Sequence, residues 1–366
     1  MKLVDKQVLR ETVGPFLFGV AAFSSVFFAG TYLLRLTQWI MGGMSILTAA
    51  QIVVLYLPGI VVYTLPMATL LAVLMGVGRL SSDSEVAALF AGGVSIYRLA
   101  VPIIGLGIVI SAFAIALNEV VAPVATLRNQ ELQAAVLKQE SKSARSFIVR
   151  DEGTSSLITV GGMDDKTGAL KDVTITHFAE KQPAVVVYAK RAEWGGLRDD
   201  EARYEWKLYD GFEVHLEADF PPKSTFKELS TSDIRKTPQE LSLFQKKPDE
   251  MSFAELSRMV NYLKAHPDRP ADQIRRMDVD RWNKLALPLS SLVFAMLAAP
   301  MAIRPQRTSS SVGLGMSILV IFLYWMVWHY TSALAIQGNL DAPVGAFAAN
   351  VLGIAAAVAL LKRAAK

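Results

Sequence analysis

The sequence predicts an α-helical membrane protein with six transmembrane helices and an all-β, jelly-roll-like domain inserted between helices 3 and 4. Three observations carry this prediction. Hydrophobic residues make up 52% of the 366-residue chain, above the usual soluble range. Six segments approach the roughly 20 apolar residues that cross hydrocarbon as a helix. Between the third and fourth of them the apolar pattern changes to period two, the period of a half-buried strand.

The spans are expected at about residues 13–34, 52–77, 99–122, 285–303, 313–336 and 343–361. The first is too long for a signal peptide and has no small-residue cleavage site, so it reads as a retained helix. Lys and Arg in the short loops set the orientation. Lys2, Lys6, Arg10, Arg79, Arg98, Arg304, Arg307, Lys362, Arg363 and Lys366 fall on one side, and only Arg35 on the other. The basic side is therefore expected to be cytoplasmic, with both termini inside and the long central segment outside. Arg35 at the external end of the first span runs against this bias, and a guanidinium there can hold a phosphate through two parallel hydrogen bonds.

Between the second and third spans lies a charged, helical segment from Arg79 to Ser95. A short amphipathic helix held between two spans reads as a docking element. The expected helix covers about residues 82–93, with Asp83 and Glu85 favouring its N-terminus electrostatically. Small residues along 87–93 allow a partner to approach closely.

In the central segment Val173, Ile175 and His177 alternate with Thr174 and Thr176, and 185–189 is a continuous apolar run. Tyr204, Trp206 and Leu208 form one alternating set, and Phe212, Val214 and Leu216 another. Asp210-Gly211 between them predicts a hairpin turn, which would give each strand an apolar face toward a shared greasy interior. Shorter strands are expected at 147–150 and 157–160. A sandwich and a jelly roll both fit. Ser252-x-x-Glu255 is a capping box opening a helix with Leu256, Met259, Val260 and Leu263 on one face, and His266-Pro267 closes it. The expected division is 1–122 (helices 1–3 with the docking helix), 123–250 (β domain), 251–284 (connecting helices) and 285–366 (helices 4–6).

Catalytic chemistry finds no foothold. The absence of cysteine removes thiol catalysis and Cys-based metal sites. No P-loop, His-Glu-x-x-His pair or Gly-x-Ser-x-Gly elbow is present, and no basic stripe with interleaved aromatics points to nucleic acid. The spans hold few ionisable side chains; Asn118 and Glu119 sit near the end of the third and His329 inside the fifth. Glu119 reads as solvated at the interface, and His329 as hydrogen-bonded to a neighbouring helix. Prolines at 58, 66, 102, 288 and 300 bend the spans, either as static kinks or as walls of a flexing cavity. Arg275, Arg276, Arg281 and Lys284 precede the fourth span, either as solvated charge or as a site for an anionic amphiphile. No inverted repeat is apparent.

Four motifs in order carry a resemblance. They are Ser84-Glu85-x-x-x-Leu89-x-Ala91-x-Gly93-x-Ser95; Arg281-Trp282-x-x-x-Ala286-x-Pro288-Leu289, with Pro300; Gly313-x-Gly315, with Tyr324; and Gly338-x-Leu340-x-Ala342-Pro343, with Asn350. With this topology the chain resembles the lipopolysaccharide export permeases of the LptF/LptG family over essentially its whole length. Where the family has Ala-Trp-x-Pro-Asn, this chain has Ala346-Phe347-Ala348-Ala349-Asn350, a change conservative for packing.

The resemblance implies a cell inner membrane permease subunit of an ABC transporter, not itself an enzyme and with no cofactor of its own. ATP and Mg would be bound by a cytoplasmic ATPase dimer (LptB-like) that grips the helix bearing Asp83, Glu85, Leu89, Ala91 and Gly93. A second LptF/LptG-type permease would complete a central cavity. An LptC-like single-span protein and an LptA-like periplasmic bridge would be further partners. The lipid would be lipopolysaccharide, its phosphates at Arg35 with Arg281 and Lys284 as weaker ligands, and its acyl chains along the first and fifth spans and beside Trp206 in the periplasmic β domain. Two other readings stay open: a membrane-anchored periplasmic binding or scaffold protein without transport activity, and an intramembrane enzyme, for which only His329 is available.

Overall fold

The computed structural model describes residues 3–136, 147–151, 156–164, 167–179, 182–198, 203–216, 223–238, 240–241, 246–265, 270–303 and 310–364. Lys2, His266, Pro267, Arg304, Arg307 and Lys366 lie outside the described residues. Two compact units emerge: Met1–Gln133 with Arg275–Lys366, and Ala134–Ile274. The helices on both sides of the inserted unit run past the ends of the apolar spans.

The first unit is helical. Its elements are α1 (Leu3–Thr31), α2 (Leu33–Met41), α3 (Ile46–Ser82), α4 (Glu85–Ala91), α5 (Ile96–Ala116) and α6 (Ala122–Val136), then α8 (Ala271–Ala302), α9 (Ser310–Gln337) and α10 (Ala342–Ala364). Among the described residues six stretches are long and apolar enough to span a membrane, those of α1, α3, α5 continued into α6, α8, α9 and α10. At 37 residues, α3 is about 55 Å long, and it is the most enclosed. Within its 18-residue apolar window 83% of positions are buried, against 11% in α1 and 17% in α9. The core gathers Leu70, Val73, Leu74 and Val77 of α3 with Leu99 and Ile103 of α5 and Phe294 and Ala298 of α8. The first and fifth spans, expected to offer walls to acyl chains, are therefore the two with the most uncovered apolar surface.

Two helix ends differ from expectation. The first span stops at Thr31, and residues 33–41 form a separate helix with no buried residue. Its apolar side chains cover one broad arc, while Arg35 and Gln38 fall on the other. Tyr32 at the bend stacks on Tyr56 at 3.8 Å, and the Tyr56 hydroxyl accepts from Gln133 at 2.9 Å. Between α5 and α6 a π-helical turn, Leu117–Val121, carries Asn118, whose amide donates to the Lys284 carbonyl of α8 at 2.9 Å.

The second unit holds a six-stranded antiparallel sheet in sequence order: β1 (Phe147–Asp151), β2 (Ser156–Met163), β3 (Leu170–Ala179), β4 (Gln182–Arg198), β5 (Arg203–His215) and β6 (Lys223–Thr231). Each described strand pairs with its chain neighbours, as in a meander. The expected hairpin at Asp210-Gly211 is not there: both residues lie inside the single 13-residue strand β5. The pairing of β4 with β5 continues instead to Arg198↔Arg203. Asp210 does adopt the left-handed backbone that an Asp-Gly pair favours (φ 50°), as does Asp172 in β3 (φ 50°). The two share one row of the sheet, between the rows Val173↔Ala189↔Gly211 and Lys171↔Arg191↔Tyr209.

This row is a crease. Buried positions alternate along each strand but skip an extra residue across it: Leu170 then Val173, and Ala192 then Ala189. Phe212 consequently packs beside Tyr188 at 5.3 Å on the face opposite to Trp206 and Leu208. The two apolar sets of β5 do not share a face, contrary to the simple alternation. Gly211 is required at the crease, since a Cβ there would meet the Tyr188 carbonyl oxygen at 2.1 Å and the Phe226 ring at 2.3 Å.

Helix α7 (Phe253–Ala265) begins with both arms of the expected capping box. The Glu255 amide donates to Ser252 Oγ at 3.2 Å, and the Ser252 amide donates to Glu255 Oε2 at 2.9 Å. Burial pulls the Glu255 carboxyl upward, but Lys246 at 2.6 Å and the Ser252 hydrogen bonds outweigh it and hold the group below its ordinary value. Ser252→Ala should destabilise the inserted unit by about 1 kcal/mol, measured by thermal unfolding. Because the carboxyl is depressed, its contribution is complete at neutral pH and fades as pH falls below the ordinary carboxylate range. Glu255→Gln should flatten that acid dependence.

Candidate functional site

The segment expected to dock a partner lies at the end of the first unit where α1 begins. Asp83 closes α3, its amide donating to the Arg79 carbonyl at 2.9 Å and its carboxylate 3.7 Å from the Arg79 guanidinium. Ser84 then turns the chain through a left-handed conformation (φ 63°), and Glu85 opens the seven-residue α4. Gly92 and Gly93 (φ 82°) end it. The helix is shorter than the expected 82–93, because Ser84 breaks the backbone between Asp83 and Glu85.

Anchor and exposed face are separated along α4. Val86 is buried in the core of the bundle and Leu89 packs against the same core. Glu85, Ala87, Ala88, Phe90, Ala91 and Gly92 are exposed. Of the expected docking residues, Leu89 therefore holds the helix on its own bundle, while Glu85, Ala91 and Gly93 face outward. Phe90 and Tyr97 add exposed aromatic surface at this end. The motif spacing gave no sign of them, since an exposed aromatic between apolar spans looks like core.

The amino-terminal turns of α1 lie against this region. Gln7 donates to Glu85 Oε2 at 2.6 Å. Asp5 pairs with Arg98 at 2.7 Å and Glu11 with Arg79 at 3.3 Å.

At the opposite end Arg35 is exposed on α2 and has no ion-pair or hydrogen-bond partner among the described residues. The other two expected phosphate ligands sit differently. Arg281 is largely buried, pairs with Asp278 at 2.5 Å and lies 5.0 Å over the Trp282 ring. Its guanidinium is thus already paired within the bundle. Lys284 is half-buried, and its carbonyl holds Asn118. His329, expected to be hydrogen-bonded, is exposed on α9 and makes ring contacts with Trp328 at 4.7 Å and Trp325 at 5.9 Å.

In the second unit Trp206 is fully enclosed (0% exposed). Its indole N–H donates to the Lys236 carbonyl at 3.1 Å, and Trp194 packs edge-on at 5.3 Å. The Lys236 ammonium donates onward to the Tyr262 hydroxyl of α7 at 2.6 Å. Trp206 does face the interior, as the alternation predicts, but the chain after β6 covers it. An acyl chain reaches Trp206 only if that segment moves.

The remaining motifs converge on one joint. Asn350 of α10 accepts from the Tyr324 hydroxyl of α9 at 2.8 Å and donates to the Ala286 carbonyl of α8 at 2.8 Å. Tyr324 packs edge-on to Phe294 at 4.8 Å, and Trp282 meets Phe347 at 6.3 Å. A narrow crevice lined by Val62, Pro66, Leu287, Ser290 and Tyr324 opens beside it. Asn350→Ala should destabilise the bundle by about 1 kcal/mol, typical of interhelical hydrogen bonds in membranes, read as a lower unfolding temperature in detergent. Tyr324→Phe should cost less, because the Ala286 bond survives.

The chain matches, over residues 6–363, the family described as lipopolysaccharide export system permease LptF/LptG. It is similar to the lipopolysaccharide export system permease protein LptG of Escherichia coli K12, with 26% identity over 294 residues, 79% of this chain and 77% of the relative. The protein of the same description from Haemophilus influenzae is 21% identical over 300 residues, 81% of each chain.

Proposed function

The chain belongs to the LptF/LptG family of lipopolysaccharide export permeases, and on that premise we propose that it is the membrane-spanning subunit of an ATP-driven transporter. In this reading the transporter extracts lipopolysaccharide from the inner membrane and passes it to a periplasmic bridge toward the outer membrane. The observation that carries it is α4: a helix fixed to its own bundle by Val86 and Leu89 that leaves Glu85, Ala88, Phe90 and Ala91 facing outward. A core helix would bury that face, and a solvated loop would not be anchored.

A separate cytoplasmic ATPase dimer, LptB-like, grips α4 and binds ATP and Mg. The excess of Lys and Arg at this end supports its cytoplasmic placement, which puts both termini inside and the β domain in the periplasm. A second LptF/LptG-type permease covers the open apolar faces of α1 and α9 and closes a cavity between the two subunits. ATP binding draws the two α4 helices together and narrows that cavity, pushing the lipid outward. Arg35 holds a head-group phosphate at the cavity's outer rim. The β domain leads onward to an LptA-like bridge, with an LptC-like single-span protein beside the gate.

Glu85→Lys should weaken recovery of the ATPase about tenfold or more, as reversal of a docking charge does, while the chain still reaches the membrane. Full recovery of an active ATPase with this variant would remove α4 from the docking role. It would favour a membrane-anchored binding or scaffold protein without transport activity.

Arg35 is tested by photocrosslinking to lipopolysaccharide in reconstituted vesicles. Arg35→Lys keeps a point charge but loses bidentate capture, so crosslinking should fall in part. Arg35→Glu should abolish it, and wild-type release by that variant at normal abundance would exclude the residue.

A further inference from the structure

The two amino-terminal turns of α1 offer more than an anchor for the first span. Asp5, Val8 and Thr12 recur at helical spacing, and Val8 and Thr12 are buried against the bundle. The polar residues flanking them reach three successive elements: Glu11 the end of α3, Gln7 the start of α4, and Asp5 the start of α5. Lys6 and Arg10 are exposed on the other side of the same turns. The helix therefore shows acids and an amide to the docking region and bases to solvent.

The contact at Glu85 is chemically specific. A neutral amide binds the carboxylate without neutralising it. A carboxylate offers about four lone-pair sites, so Glu85 can hold Gln7 and still receive a cation from outside. Farther along, α1 is seated on α3 without slack. A Cβ at Gly76 would meet the Glu11 carbonyl oxygen at 2.6 Å, and one at Gly19 would meet Ala68 at 3.1 Å. Ser24 and Thr64 hydroxyls then join at 3.0 Å. From Asp5 to Ser24, about 30 Å of helix at 1.5 Å per residue, α1 is thus tied to α3 on both sides of Pro15, so a displacement at α4 is handed to α3 along its length.

We infer that these turns are the second half of the coupling element. Gln7, Asp5 and Glu11 are positioning residues that pass movement of α4 to α1 and α3 as one body, and so to the lipid-facing wall and to α2. This rests on the reading of α4 as the ATPase dock.

The experiment uses the chain reconstituted with its ATPase, scoring copurification, ATP hydrolysis and lipid released per ATP. Gln7→Leu and Asp5→Arg should keep the ATPase bound and hydrolysing but lower lipid release per ATP roughly fivefold or more, the lower range of allosteric coupling. Adding Arg98→Asp to Asp5→Arg should restore it. Wild-type stoichiometry in the single variants, or no recovery in the swap, overturns the inference. Loss of ATPase binding in the single variants also overturns it, because the contacts would then serve docking alone. Failure of the unmodified chain to recover an ATPase instead sinks the docking reading itself. Should the single variants misfold, the cysteine-free chain allows Asp5→Cys with Arg98→Cys and a short thiol cross-linker. One-body motion predicts undiminished transport when linked, whereas loss that is reversed by cleaving the linker overturns it.

Discussion

Asn350 lies among apolar side chains in the last span, where no bulk water reaches its amide, so both ends of the amide need partners within the protein. It finds them on two other helices, the Tyr324 hydroxyl and the Ala286 carbonyl. Three spans thereby share one register. Nearby, Pro288 has no N–H to give the Lys284 carbonyl four residues back, and that carbonyl accepts from Asn118 instead. Directional bonds of this kind fix helix positions that apolar packing alone, similar against lipid or protein, leaves free.

The other half of the bundle is fixed by close approach. Gly19 and Gly76 let α1 and α3 touch backbone to backbone, and charged pairs close the end where α4 sits. The enclosed span is thus the second, and the exposed ones are the first and fifth.

The sheet of the second unit solves a different problem. A flat meander keeps one apolar face along its whole length. Here Asp172 and Asp210 take left-handed backbones in one row, and the buried set changes parity as it crosses. The buried side of β5 at Trp206 and the half-buried pair Tyr188–Phe212 consequently lie on opposite faces. The strain of two non-glycine residues at positive φ is offset by side-chain bonds such as Tyr188 to Asp172 at 2.6 Å, which also raises the Tyr188 pKa above its ordinary value.

What the sequence determined by itself was whatever depends on neighbours within a few residues. Spans show as runs of apolar residues, strands as alternation, and the capping box as Ser252 three residues before Glu255. Helix α4 was legible because charge and glycine bracket it locally. Tertiary structure decided what depends on distant partners. The pairing of Gln7 with Glu85 joins residues 78 apart, and Asn118 meets Lys284 across 166. Asp210-Gly211 has the local preference of a turn, but the strands paired on both sides keep it within β5, so the left-handed residue becomes a crease. Arg281 looks like a head-group ligand by position; its partner Asp278 is only one helical turn away, but the burial of the pair comes from the packed bundle. Local propensity fixes a backbone state, and only the packed neighbours decide which face that state presents.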